Sequence, residues 1–170
     1  MIALARSRSN KGFLDELTNT RYKNGKINWP SRLHYFSDWM KHNEERGAIR
    51  IHTQGAGSHA IDKTVGLIEG LRRRHVRFHI VPRKKIQLAR PRLPSGSIVA
   101  FASVRSKLDF FHTGFLFYDS QARPSIDDLI LYQAQKNAGK VIAEPLPEFL
   151  KLNRMKGIAF ATPMRPSRLK

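Results

Sequence analysis

A series of strand-length apolar segments crowds the second half of the chain, and it constrains the fold more than any other feature. Ser97–Ala102, Phe110–Tyr118, Leu129–Gln135 and residues 141–144 and 157–162 each read as strands bounded by turn or polar residues. Asn137-Ala138-Gly139 joins the third and fourth as a hairpin loop. The first part of the chain has a different period. Phe13, Leu14 and Leu17 recur at helical spacing behind Ser9 or Asn10, either of which can cap the helix. Pro30-Ser31 opens a longer helix that ends near Gly47. Its Leu33, Phe36 and Met40 share the core face, and Tyr35 and Trp39 lie on a neighbouring face. Helices first and strands later predict an α+β fold, an antiparallel sheet packed against N-terminal helices.

Between these regions the pattern is weaker. Residues 49–53 suggest a strand, 62–74 a helix with a basic end, and 76–81 a strand stopped by Pro82. A short helix over 147–153 precedes the last strand. One domain is expected over 1–164, followed by a basic tail at 165–170.

Charge and cysteine content narrow the function classes. Of 170 residues, 31 are basic and 13 acidic, a net charge of +18 that attracts polyanions. The sequence contains no cysteine, which excludes disulfides, thiolate metal sites and a thiol nucleophile within these residues. No apolar run is long enough to span a membrane. No signal peptide is visible: Ile2 to Leu4 are apolar, but Arg6, Arg8 and Lys11 follow at once. A monomer without cofactor or metal is expected, in a compartment the sequence leaves unknown.

Four groups of residues could carry chemistry. His112 sits on a strand with Gly114 two residues on, which leaves room beside the ring for a backbone or a ligand. The strict alternation of that strand puts Phe111, Phe115 and Phe117 on the core face and His112 on the other. On the long helix His34, Asp38 and His42 recur every four residues, a metal-ligand spacing that a solvated polar stripe also produces. Gly55-Ala56-Gly57-Ser58-His59-Ala60 fits a loose dinucleotide fingerprint, although Arg50 and His52 are wrong for a strand buried on both faces. Basic runs at Arg72 to Arg74 and Arg83 to Lys85 read either as a solvated face or as a polyanion attachment surface.

Several of these motifs together resemble a known family. "DFFHTGF" around His112 resembles the strand that carries the catalytic histidine of NlpC-type papain-like cysteine hydrolases. "GSIVAF", "LYQAQKNAGKVIAEPLPEFL" and "KGIAFATP" are similar to further segments in the same order. "RYKNGKINWPSRLHYFSDWM" is similar to the branch that cleaves the bond between N-acetylmuramic acid and L-alanine. The resemblance implies a bacterial peptidoglycan amidase of papain-like core, placed in the periplasm or cell envelope. It implies His112 as general base and Gln133 as its orienting group, with Tyr35, Asp38 and Trp39 along the substrate cleft. Residues 1–6 resemble the later turns of the helix that bears the nucleophilic cysteine. The resemblance therefore places that cysteine upstream of Met1, in a segment missing by truncation, or else lost in this lineage. Without it the chain is expected to be inactive while still binding peptidoglycan fragments. Non-specific polyanion binding is a further expectation, and a basic nucleic-acid-binding domain is the alternative reading.

Overall fold

The computed structural model describes residues 9–55, 57–119 and 125–165. Helix α1 (Asn10–Arg21) begins where the Ser9 hydroxyl accepts a hydrogen bond from Gly12 N at 3.1 Å, so Ser9 is the cap. The reading of residues 1–6 as the end of another helix lies outside the described residues.

The next helix is shorter than its periodicity predicts. Helix α2 spans Phe36–Glu45, not 30–47. Tyr22 and Arg32 form an antiparallel bridge, Lys23 N donates to Ser31 O, and Leu33 N donates to Arg21 O. These bonds tie residues 31–33 to the end of α1, so the apolar spacing of Leu33 belongs to no helix. The start of α2 is set from far away in sequence. Asp109, 1% exposed, accepts a 2.7 Å hydrogen bond from Ser37 N. It supplies the acceptor that Tyr35, at the cap position, does not. Fully buried Asn43 then ties α2 to α1 by donating to Thr20 O.

The remaining elements are the strands β1 (Ile49–Ile51), β2 (His59–Val65), β3 (Arg74–Pro82), β4 (Ser97–Ala102), β5 (Phe110–Tyr118), β6 (Leu129–Gln135) and β7 (Lys140–Pro145), helix α3 (Leu146–Leu152), and β8 (Gly157–Pro163). The strand order is β2-β3-β8-β4-β5-β6-β7, every pairing is antiparallel, and β1 also pairs with β8. The helix expected over 62–74 is instead β2 and a turn, since β2 pairs with β3 from His59 opposite Ile80 to Val65 opposite Arg74. Lys63 hides the two-residue period. Its amine donates to the carbonyls of Arg105 and Leu108 at 2.8 and 2.7 Å, which lets its stem lie along the sheet between Ile61 and Val65.

Each face of the sheet has its own core. Val99, Phe101, Leu116, Leu131 and Phe160 share one face with Leu146 and Phe149 of α3 and with Ile86 and Ala89 of the 3-10 segment Arg83–Arg92. Ile98, Ala100, Ala159 and Ala161 share the other face, where Met40 of α2 packs. Small residues there let the helix approach closely. The fold is α+β, and the N-terminal helices cover one face of the sheet only.

Candidate functional site

His112 follows the regular alternation of β5, just after an irregularity in that strand. Phe101 lies opposite His112, but the next residue of β4, Ala102, lies opposite Phe110. Phe111 is therefore the extra residue of a bulge, and such a bulge re-aims the side chains beside it. Phe110 joins the core on the α2 face, while His112 joins the α3 face and stacks on Phe101 and Phe149 with ring centroids 6.2 and 5.7 Å apart. Strict alternation had placed Phe111 in the core and His112 on the open face. The bulge displaces Phe111, which is 37% exposed, while His112 keeps the face that alternation gives it, and that face is itself a core face, with fully buried Phe101 and Leu116.

The room expected at Gly114 is occupied by the neighbouring strand. A Cβ at Gly114 would stand 2.7 Å from Tyr132 O and 2.6 Å from Leu131 Cδ1, so only glycine lets β6 come this near. The approach brings Gln133 onto the face of His112, with its side chain largely buried. The Gln133 amide donates to the Glu144 carboxylate of β7. His112, Gln133 and Glu144 line one pocket of about 270 Å³, together with Phe149, Leu152 and Asn153 of the α3 region. His112 Nε2 is buried there and has no hydrogen-bond partner.

Glu144 was not found from the sequence. The signal was available, because the hairpin register sets Gln133 opposite Ile142 and Leu131 opposite Glu144, which puts Glu144 on the face of Gln133.

The other expected site residues are not brought to this pocket. Tyr35 is 1% exposed, its hydroxyl accepts from Leu67 N and Ile68 N, and its ring lies under the Arg74 guanidinium at 4.8 Å. It is a core residue and offers no surface to a substrate. Asp38 pairs with Arg74. Trp39 stacks on Phe36 at 4.8 Å and lines a second, mostly apolar cleft of about 480 Å³ with Phe13, Leu17, Phe115 and Tyr132, and Gln133 borders both this cleft and the His112 pocket. That cleft opens on the α2 face of the sheet, opposite the face that carries His112.

The His34, Asp38, His42 stripe is also dispersed. His34 precedes α2 and its Nε2 bonds to Trp29 O, whereas His42 Nε2 bonds to Asn19 O. Among the described residues no group of three or more His, Asp or Glu could hold a metal. After Gly57 and Ser58 the chain enters β2 and not a helix, so no helix N-terminus follows to receive a dinucleotide phosphate. Arg72, Arg73, Arg83, Lys84 and Lys85 are exposed.

Three comparisons bear on this arrangement. The family described as AmiA-like, N-acetylmuramoyl-L-alanine amidase-like, matches residues 1–158. The chain belongs to that family. Two crystal structures of an N-acetylmuramoyl-L-alanine amidase from Bacteroides uniformis share the fold of this AmiA-like chain. One is 25% identical with a TM-score of 0.75, covering 92% of this chain and 75% of that one. The other is 24% identical with a TM-score of 0.74, covering 95% and 79%. A Bacteroides fragilis structure provisionally named a xylanase is 23% identical with a TM-score of 0.75, covering 95% and 82%, and shares the fold alone. Comparison with curated proteins finds no match.

Proposed function

We propose that this AmiA-like chain is a peptidoglycan-recognising amidase domain of the NlpC, papain-like type. On this reading it is directed at the bond between N-acetylmuramic acid and L-alanine and does not cleave that bond as these 170 residues. The observation that carries the proposal is the buried, unpartnered Nε2 of His112 in a pocket shared with Gln133 and Glu144. An imidazole held by aromatic stacking with an amide beside it suits a general base and its orienting group. Amide cleavage by this design also needs a thiolate to attack the carbonyl, and the imidazole then returns a proton to the leaving amine. The sequence holds no cysteine, so the base has no thiol to activate.

The test uses a muropeptide that carries an intact N-acetylmuramoyl-L-alanine linkage. Mass spectrometry is expected to find no released peptide, and binding is expected to weaken about tenfold in His112→Gln, the loss of one hydrogen bond to a charged or strongly polar group. Peptide release at a rate that depends on His112 would overturn the non-cleaving part of the reading. Salt-sensitive binding to DNA without muropeptide affinity would overturn the rest and favour a nucleic-acid-binding domain.

A further inference from the structure

Two connections outside both pockets carry exposed apolar and cationic side chains together. Residues 66–73 join β2 to β3, and residues 103–109 join β4 to β5. The two are tied to each other. Gly66 N donates to Lys107 O at 3.1 Å, and the Lys63 amine of β2 donates to Arg105 O and Leu108 O. Leu67 on the first connection is 50% exposed, and Val104 on the second is 53% exposed. Trp29, 51% exposed, joins them from the segment before α2: its indole Nε1 stands 3.3 Å from where a Cβ at Gly70 would lie. His34 packs on that indole, with ring centroids 4.2 Å apart. Below the surface Val65, Val76 and Leu108 pack with Tyr35, so the protruding side chains stand on a fixed base.

The charge of this surface is one-sided. The two connections hold four cations and two acids, Glu69 and Asp109, and Asp109 is buried against Ser37 N. Arg105 and Lys107 are exposed, and neither pairs with a carboxylate among the described residues. Arg73 is exposed as well, and its stem lies against Gly66, where a Cβ would meet Arg73 Cγ at 2.6 Å.

We propose that this surface docks on an anionic lipid bilayer, with Trp29, Leu67 and Val104 entering the headgroup region and Arg73, Arg105 and Lys107 meeting lipid phosphates. A nucleic acid would use the cations, but aliphatic Leu67 and Val104 offer no π face to a base. A bilayer uses every one of these groups. An indole favours the membrane–water boundary, aliphatic side chains gain by leaving water there, and Lys and Arg are drawn to anionic headgroups. The net charge of +18 acts in the same direction. None of the six residues lines the His112 pocket, so this docking stands apart from the muropeptide reading.

The experiment is co-sedimentation of the full chain with phosphatidylcholine vesicles, with and without one-third phosphatidylglycerol. Binding to the anionic vesicles is expected, with affinity for the neutral ones lower by about tenfold or more. Arg105→Gln with Lys107→Gln is expected to weaken binding about thirty-fold, the worth of two cations at such a surface. Leu67→Ser with Val104→Ser is expected to weaken it about tenfold, since each side chain has about half its area left to bury. Circular dichroism checks that both pairs remain folded. Brominated phosphatidylglycerol is expected to quench the wild-type tryptophan fluorescence, and Trp29→Phe to remove most of that quenching. Attraction between charges alone would not give this contact with lipid chains. Failure of the wild type to bind the anionic vesicles overturns the proposal without any variant. Binding without quenching, or binding that the serine pair leaves unchanged, overturns it too. Tighter binding to a DNA duplex than to the vesicles, lost in the glutamine pair and kept in the serine pair, would assign the surface to nucleic acid instead. His112-dependent muropeptide binding is unaffected by any of these outcomes, so the two readings fail separately.

Discussion

Gly114 decides how close β6 can come to the histidine strand. A methyl group there meets Tyr132 O and Leu131 Cδ1 well inside contact distance. Gly114→Ala is therefore expected to destabilise the chain by about 1–3 kcal/mol, the usual cost of overpacking, read as a lower midpoint in urea unfolding. An unchanged midpoint would mean that β6 yields at no cost. Tyr35 gives a second test at this scale. Its hydroxyl serves two backbone N–H groups, so Tyr35→Phe leaves buried donors without their acceptor. We expect a loss of about 1–3 kcal/mol with muropeptide binding unaltered. A substrate-contacting tyrosine would show the reverse pattern, weaker binding at unchanged stability. His112 and Gln133 line one pocket, and the faces they occupy follow from strand alternation in β5 and β6. The sequence misplaced Tyr35, because burial of an aromatic with a polar tip depends on which loop reaches it, and residues 67 and 68 lie more than thirty positions away.

Elements whose hydrogen bonds are local were legible. The predicted bounds of β4, β5 and β6 match, as does the β6–β7 hairpin around Asn137-Ala138-Gly139. The extent of α2 was not legible, since its first turn depends on Asp109 in the loop before β5. Asp109→Ala is expected to cost about 1 kcal/mol, a typical cap, and to fray the start of α2 in hydrogen exchange. Retained protection at Ser37 would show that the cap is dispensable. The β5 bulge was also invisible, because an inserted residue breaks the two-residue period without any local signal in Phe111. Another element-scale prediction concerns His52, which follows β1 and bonds to Thr162 of β8. Burial, and then the Arg50 charge, lower its pKa from the ordinary 6.5. The unfolded chain therefore binds its proton first as the pH falls. The contribution of His52 is complete above about 6.5 and declines as the pH drops below that value toward the lowered folded pKa. Unfolding midpoints from pH 8 to 5 should fall less steeply in His52→Gln than in the wild type. Parallel profiles would remove His52 from the account.

At the scale of the whole molecule, the sheet carries a pocket on each face, with Gln133 bordering both. The α3 face carries His112, Gln133 and Glu144 in a small pocket, and the α2 face carries the larger apolar cleft with Trp39 and Phe115. Sequence reasoning placed Trp39 and His112 in one cleft because it had no means of assigning α2 to a face. The α+β class was legible from the change of period along the chain. The covering of the second face by α3 and a 3-10 segment was not, since Arg83–Arg92 has Pro91 and few apolar residues to announce it. The central claim is that the His112 pocket recognises an N-acetylmuramoyl-L-alanine linkage that these residues do not cut. The measurement that tests it most directly is an NMR titration of the labelled chain with the intact muropeptide, following both partners. The account predicts saturable shifts at His112 and Gln133, with smaller changes at Trp39, and an unchanged muropeptide spectrum throughout. Shifts at Trp39 with none at His112, or the appearance of free L-alanine-bearing peptide, would contradict it.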